Sequence, residues 1–235
     1  MSYATLIIGE SGTGKTASLR NLDPTKTLLI QPTRKPLPFR STEWKERIQK
    51  GDNGNIFVSD NPSVIIAAMR RTTAEIIVID DWQYILANMF MAKRNEKGFD
   101  KFTSIGGAGF DICATANQLE PQKRVYILAH STTDELGNTH VKTLGKLLDD
   151  KVVVEGMFTT VLRTCVEQGR YMFRTHNSGS DTCKSPIGMF EDELIENDLA
   201  LVDSTICDYY GIGKEAEPDP DDPSTGSEIS EADVI

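Results

Sequence analysis

Cysteine and histidine are scarce in this chain, with four and three among 235 residues. Cys113, Cys165, Cys183 and Cys207 stand far apart with no C-x-x-C pair, and His130, His140 and His176 have no ligand spacing. This argues against a disulfide framework or a zinc site, and for free thiols in a reducing cytoplasm. There is no apolar run of about 18 residues and no charged-then-apolar leader, so neither a membrane span nor a signal peptide is expected. The length suits one sizeable α/β domain with a full core.

A surplus of positive charge is also missing. The formal net charge is −10 at pH 7, which by itself argues against a nucleic-acid ligand. The deficit is concentrated, however. Residues 214–235 hold eight acids against the single base Lys214, a charge of −7, which leaves −3 on residues 1–213. With three prolines and almost no large apolar residues, 214–235 reads as a disordered acidic tail, and 1–213 as the folded unit. The tail either solubilises the chain, competes with phosphates for a basic groove, or docks a partner.

What is present begins with 5-TLIIGESGTGKTASL-19. A short β-forming run leads into Gly9, and Gly14, Lys15 and Thr16 complete the spacing G-x-x-x-x-G-K-T ahead of a short helical pattern. A bound polyphosphate explains each residue type. Gly9, Gly12 and Gly14 let backbone N–H groups turn inward, where side chains would collide. Lys15 reaches the β and γ phosphates, Thr16 ligates Mg²⁺, and the following helix aims its positive end at the anion. The expected nucleotide contacts are Gly9, Glu10, Ser11, Gly12, Thr13, Gly14, Lys15, Thr16 and Ala17.

A second piece of chemistry is 75-EIIVIDD-81. Ile76 to Ile79 suit a parallel strand buried on both faces, and Asp80 then falls at the crevice where open α/β sheets bind ligands. Asp80 is the expected partner of Thr16 in holding Mg²⁺. Asp81 either caps the next helix or serves as the base that positions an attacking water.

Elsewhere, 27-TLLIQ-31, 55-NIFV-58, 125-VYILAH-130, 152-VVV-154, 157-MFTTVLRTCV-166 and 170-RYMFRTHN-177 read as strands. The last two form a hairpin about Glu167-Gln168-Gly169. Helices are expected over 42–50, from Asn61-Pro62 through Arg71, over 82–93, over 109–119 and near 201–210. Two polar stretches are candidate single-stranded DNA loops. In 93–110, Lys93, Arg94, Lys97 and Lys101 interleave with Phe99 and Phe102 among glycines. In 131–150 lie Lys142 and Lys146. Basic residues tracking a backbone, with aromatics to stack on bases, are what such binding uses, although a solvated loop would read the same way.

The order of these features resembles a RecA-like P-loop ATPase, with a mostly parallel central sheet flanked by helices and a C-terminal β-hairpin. More narrowly, 34-RKPLPF-39, 125-VYILAH-130 and Lys184 before Ser185-Pro186 resemble the phage ATP-binding proteins of the single-strand annealing (Sak-four) type, over about residues 3–210. The resemblance implies ATP and Mg²⁺ as cofactors and single-stranded DNA as ligand. It also implies a ring or filament of identical subunits, and annealing alongside a host single-strand binding protein in the bacterial cytoplasm. His130 (or Ser131) then takes the place of the polar residue that senses the γ-phosphate. Lys184, with Arg174 as second choice, is the implied cation that reaches a neighbouring subunit's nucleotide. One departure stands out: the family's early-strand glutamate has no counterpart in 30-IQPTRKP-36. The rival readings are a motor or helicase loader, a nucleotide-gated scaffold, and a small-molecule kinase, for which no arginine-rich lid is evident.

Overall fold

The computed structural model describes residues 1–49, 51–144 and 152–213. Among these residues nine strands form one sheet: β1 (Tyr3–Gly9), β2 (Thr27–Gln31), β3 (Ile56–Val58), β4 (Ile76–Ile79), β5 (Arg124–Thr133), β6 (Thr139–Val141), β7 (Thr160–Glu167), β8 (Arg170–Arg174) and β9 (Leu194–Glu196). The order is β3-β2-β4-β5-β1-β7-β8-β9, with β6 paired to the end of β5. Strands from β3 to β7 along that path run parallel, and the β7-β8-β9 edge is antiparallel. Helices α1 (Pro62–Arg71), α2 (Gln83–Ala92), α3 (Asp100–Ala116) and α4 (Leu199–Tyr210) flank it. The chain is therefore α/β, with a mostly parallel mixed sheet between helices.

Strand alternation divides the core in two. Leu6, Ile8, Ile77, Ile79, Val125 and Ile127 face one way and pack with Ile65, Ile85, Leu86, Ile105 and Ile112 of α1 to α3. Ile7, Leu29, Val78, Tyr126 and Leu128 face the other way and meet Leu199, Val202 and Ile206 of α4. Burial on both faces is why these strands read as unbroken apolar runs. α1 begins as expected at Asn61, whose side chain accepts from the Ser63 and Val64 amides, with Pro62 in the first turn. The β7–β8 turn falls on Gln168 and Gly169, both at positive φ, as a two-residue hairpin with matching twist requires.

The structure departs from the sequence reading in several places. The glycine-rich stretch 93–110 is a loop only as far as Phe99, because Gly106, Gly107 and Gly109 lie inside the 17-residue α3. Gly106 and Gly109 share its buried stripe with Ile105, Ile112 and Cys113, so packing overrides their poor helix propensity. No helix forms over the described part of 42–50. The Lys45 carbonyl accepts from the amides of Asn55 and Ile56, and Glu46 bridges to Ile56, which draws the segment onto the β3 edge. The segment after Thr16 is a single 3-10 stretch, Thr16–Asn21, not an α-helix. No strand forms over 152–154, where Val154 opens the 3-10 turn Val154–Met157 that also takes Met157 out of the next strand, and the Glu155 carboxylate accepts the Val141 amide at 2.7 Å. β6 and β9 had no sequence signal.

Candidate functional site

Gly9 ends β1 against β7, and a Cβ there would run into Thr164 Oγ1 and lie 2.9 Å from Thr13 Oγ1. The two threonine hydroxyls share a 2.6 Å hydrogen bond that ties the loop to β7. Gly12 and Gly14 have φ of 81° and 97°, a region open to glycine at little cost. The loop thus folds over Lys15, whose Nζ donates to the carbonyls of Gly9 and Glu10, each at 2.8 Å. Burial lowers the Lys15 ammonium to about 8, against the pull of Asp81 and Asp80. Such an ammonium is held by weak carbonyl partners, a position from which a phosphate would draw it.

β5 lies between β1 and β4, with Gly9 opposite His130 and Ile79 opposite Ile127. The loop, His130 and the acid pair after β4 therefore open at the same carboxyl end of three adjacent strands. Asp80 is fully buried and accepts the Thr16 hydroxyl at 2.9 and 3.1 Å. Burial pushes its carboxyl up, while the Lys35 ammonium at 3.2 Å pulls the other way. Asp81 does not cap α2, which starts with no side-chain cap. Instead its backbone turns to φ 64°, an uncommon state for a non-glycine residue, and its carboxylate meets Lys35 on one oxygen and His130 Nε2 at 3.4 Å on the other. Trp82, fully buried beside it, donates its amide to the Leu128 carbonyl at 2.9 Å. Burial and the nearby Lys15 lower the His130 pKa, against the pull of Asp81.

Ser11, Gly12, Lys15, Lys35, Asp81 and His130 line a cleft of about 480 Å³, with Tyr171 of β8 half exposed at its edge. A larger hollow of about 700 Å³ opens at the other end of the strands, around Lys26 and Glu75. Ligands of open α/β sheets bind at the carboxyl ends, so the smaller cleft is the functional candidate. Its chemistry fits a polyphosphate with Mg²⁺. Inward-turned loop backbone and Lys15 offer donors to an anion, and Thr16 with Asp80 offers hard oxygen ligands. Among the described residues no group of three or more His, Cys, Asp or Glu is placed to hold a metal. Mg²⁺ bound by one carboxylate and substrate phosphates needs no such group.

The other predicted residues are spread more widely. Lys93 donates to Ser104 Oγ at 3.1 Å, and Arg94 to the Met91 carbonyl at 3.0 Å. Lys101 sits over the rings of Phe90 and Phe102, which pack 5.9 Å apart, so Phe102 already has a partner within the fold. Phe99 is 86% exposed, and Lys97 is exposed beside it. Lys142 is exposed at the end of β6, and its amide donates to the His130 carbonyl at 2.7 Å, beside the cleft. Lys146 and the acidic tail lie outside the described residues. Lys184 is exposed and pairs through its backbone with Val161 of β7, away from the residues lining this cleft. Arg174 reaches Glu167 at 3.5 Å and Glu193 at 4.0 Å.

Sequence reasoning passed over Lys35 and Tyr171 as cleft residues, and Gln83, whose Oε1 accepts the His130 amide at 3.1 Å. Lys35 was visible as a base in a proline-rich stretch, but no spacing links it to Asp80 and Asp81, 45 and 46 residues away. Comparison with protein-family models gives no match, and comparison with curated proteins gives none either. Among the described residues, no helix is long and apolar enough to cross a membrane.

Proposed function

We propose that the chain is a RecA-like P-loop ATPase that binds single-stranded DNA and promotes annealing or recombination in phage DNA metabolism, in the cytoplasm of a bacterial host. The observation that carries the nucleotide part is the convergence of Lys15, the Thr16–Asp80 pair and His130 at the carboxyl ends of β1, β4 and β5. In this reading the loop amides and Lys15 hold the β and γ phosphates, while Thr16 and Asp80 hold Mg²⁺, which when bound neutralises phosphate charge. Asp81 orients and deprotonates the attacking water, and His130 donates toward the γ-phosphate. The DNA part rests on the sequence resemblance, on the exposed Lys97 and Phe99, and on Lys142 beside the cleft. Assembly into a ring or filament, and action with a single-strand binding protein, belong to the same proposal.

A second reading, in which ATP gates assembly and turnover is slow, is favoured by one observation. Asp81, the remaining candidate base, is engaged by both Lys35 and His130. ATP hydrolysis measured with and without a long oligo-dT, at low and moderate salt, tests both. The ATPase reading expects DNA stimulation that Lys15→Ala abolishes. ATP binding lost in Lys15→Ala but without turnover in the parent would select the gated scaffold. Hydrolysis indifferent to DNA would discard the DNA-stimulated reading.

A further inference from the structure

Among the described residues, Lys35 is the one cation that touches both acids of the site. Its ammonium lies 3.2 Å from Asp80 Oδ2 and contacts Asp81 Oδ2. It arrives from the segment after β2, where 30-IQPTRKP-36 has no carboxylate, and that segment also brings Pro38 to the cleft. Two adjacent carboxylates, one fully buried, are costly to hold ionised without a compensating charge. Lys15 does not supply direct contact, because its ammonium is occupied by the carbonyls of Gly9 and Glu10. Thr16 gives Asp80 a hydroxyl, not a charge. His130 faces Asp81 from β5 at 3.4 Å and makes no ion pair with Asp80 among the described residues. Among the described residues, Lys35 is therefore the cation that balances both acids.

We infer that Lys35 is a built-in counter-ion that occupies the divalent-metal seat at Asp80, steadied there by Asp81, and must leave it before Mg²⁺ can bind. This rests on the nucleotide-site reading above. The same oxygens cannot serve an ammonium at contact distance and a metal ion at once. Metal alone then competes with a tethered cation and binds weakly, whereas metal arriving with a polyphosphate gives Lys35 a new anionic partner as it withdraws. Lys35 would thus be a positioning residue that makes metal and nucleotide enter together, with the 32–40 segment moving as they do.

The test uses the full chain and Mn²⁺ alone as probe, followed by electron paramagnetic resonance, with thermal melting in parallel. The parent is expected to bind Mn²⁺ weakly. Lys35→Met should bind it at least about tenfold more tightly, because two buried carboxylates lose their partner. It should also melt lower than the parent without metal and recover with Mn²⁺, while Lys35→Arg behaves as the parent. Equal Mn²⁺ affinity in the parent and Lys35→Met overturns the inference. Should Lys35→Met fail to fold, amine labelling of the parent read by mass spectrometry decides. Lys35 should become more reactive as Mn²⁺ is added; labelling unchanged up to Mn²⁺ saturation overturns the proposal. Binding of a fluorescent ATP analogue is measured alongside. A parent that binds the analogue while showing none of these Lys35 effects refutes this inference alone. A parent that binds no ATP analogue removes the reading beneath it as well.

Discussion

At the scale of single residues, the loop is defined as much by space as by charge. Gly9 has no room for a side chain because Thr164 and Thr13 already fill the place where a Cβ would project. Gly9→Ala is expected to cost about 1–3 kcal/mol of stability through overpacking. Thr164→Ala in the same chain should recover part of that loss, since it removes the hydroxyl in the way. Urea denaturation of the two single variants and the double variant measures this coupling, and strict additivity would contradict it. The first glycine of the motif could be read from sequence, but its partner on β7 could not. Thr164 lies in a strand with no phosphate signature, and only the parallel pairing of β1 with β7 brings the two together. Lys35 was hidden for the same reason, because its partners come from a different strand and follow no local spacing.

Elements were legible where their signal was local. β1, β2 and β4 showed as apolar runs because both faces are buried, and α1 announced its start with Asn61-Pro62. α3 did not, because Gly106 and Gly109 weaken the local helix signal and lie on its buried stripe, whose packing no short window contains. β6 and β9, three residues each, owe their existence to pairing with the ends of β5 and β8. A long-range tie of another kind fastens α4 to the sheet. Asp203 accepts from Arg124 at 2.9 and 3.0 Å and from the Tyr126 hydroxyl at 2.6 Å, all three side chains being buried or nearly so. Asp203→Ala would leave the Arg124 guanidinium without its main partner, and is expected to destabilise the fold by about 3–5 kcal/mol. Thermal melting checks this; a loss under about 1 kcal/mol, the range of an exposed pair, would mean that Arg124 is better solvated than its surroundings indicate.

For the whole molecule, the site stands at one end of the sheet and Lys184 on the antiparallel flank beside β7. If Lys184 acts on a nucleotide held by a neighbouring copy, each copy would contribute half of two sites. Lys184→Ala should then lower turnover several-fold while leaving nucleotide affinity near that of the parent. Mixing it with Lys15→Ala should restore part of the activity that either variant lacks alone. Absence of rescue in mixed samples, by phosphate-release assay, would argue for a site complete within one chain.

The junction of Asp81 and Trp82 has a further consequence. Trp82 is one of only two tryptophans, is fully buried, and directly follows the acid that Lys35 and His130 grip. Among the described residues its indole Nε1 has no hydrogen-bond partner. A fluorophore so placed takes its emission colour from the field of the charges beside it. Exchange of Lys35 for a metal ion at these acids would change that field around a ring that is itself fully buried. The chain therefore carries its own optical label, built into the backbone next to the chemistry it would report.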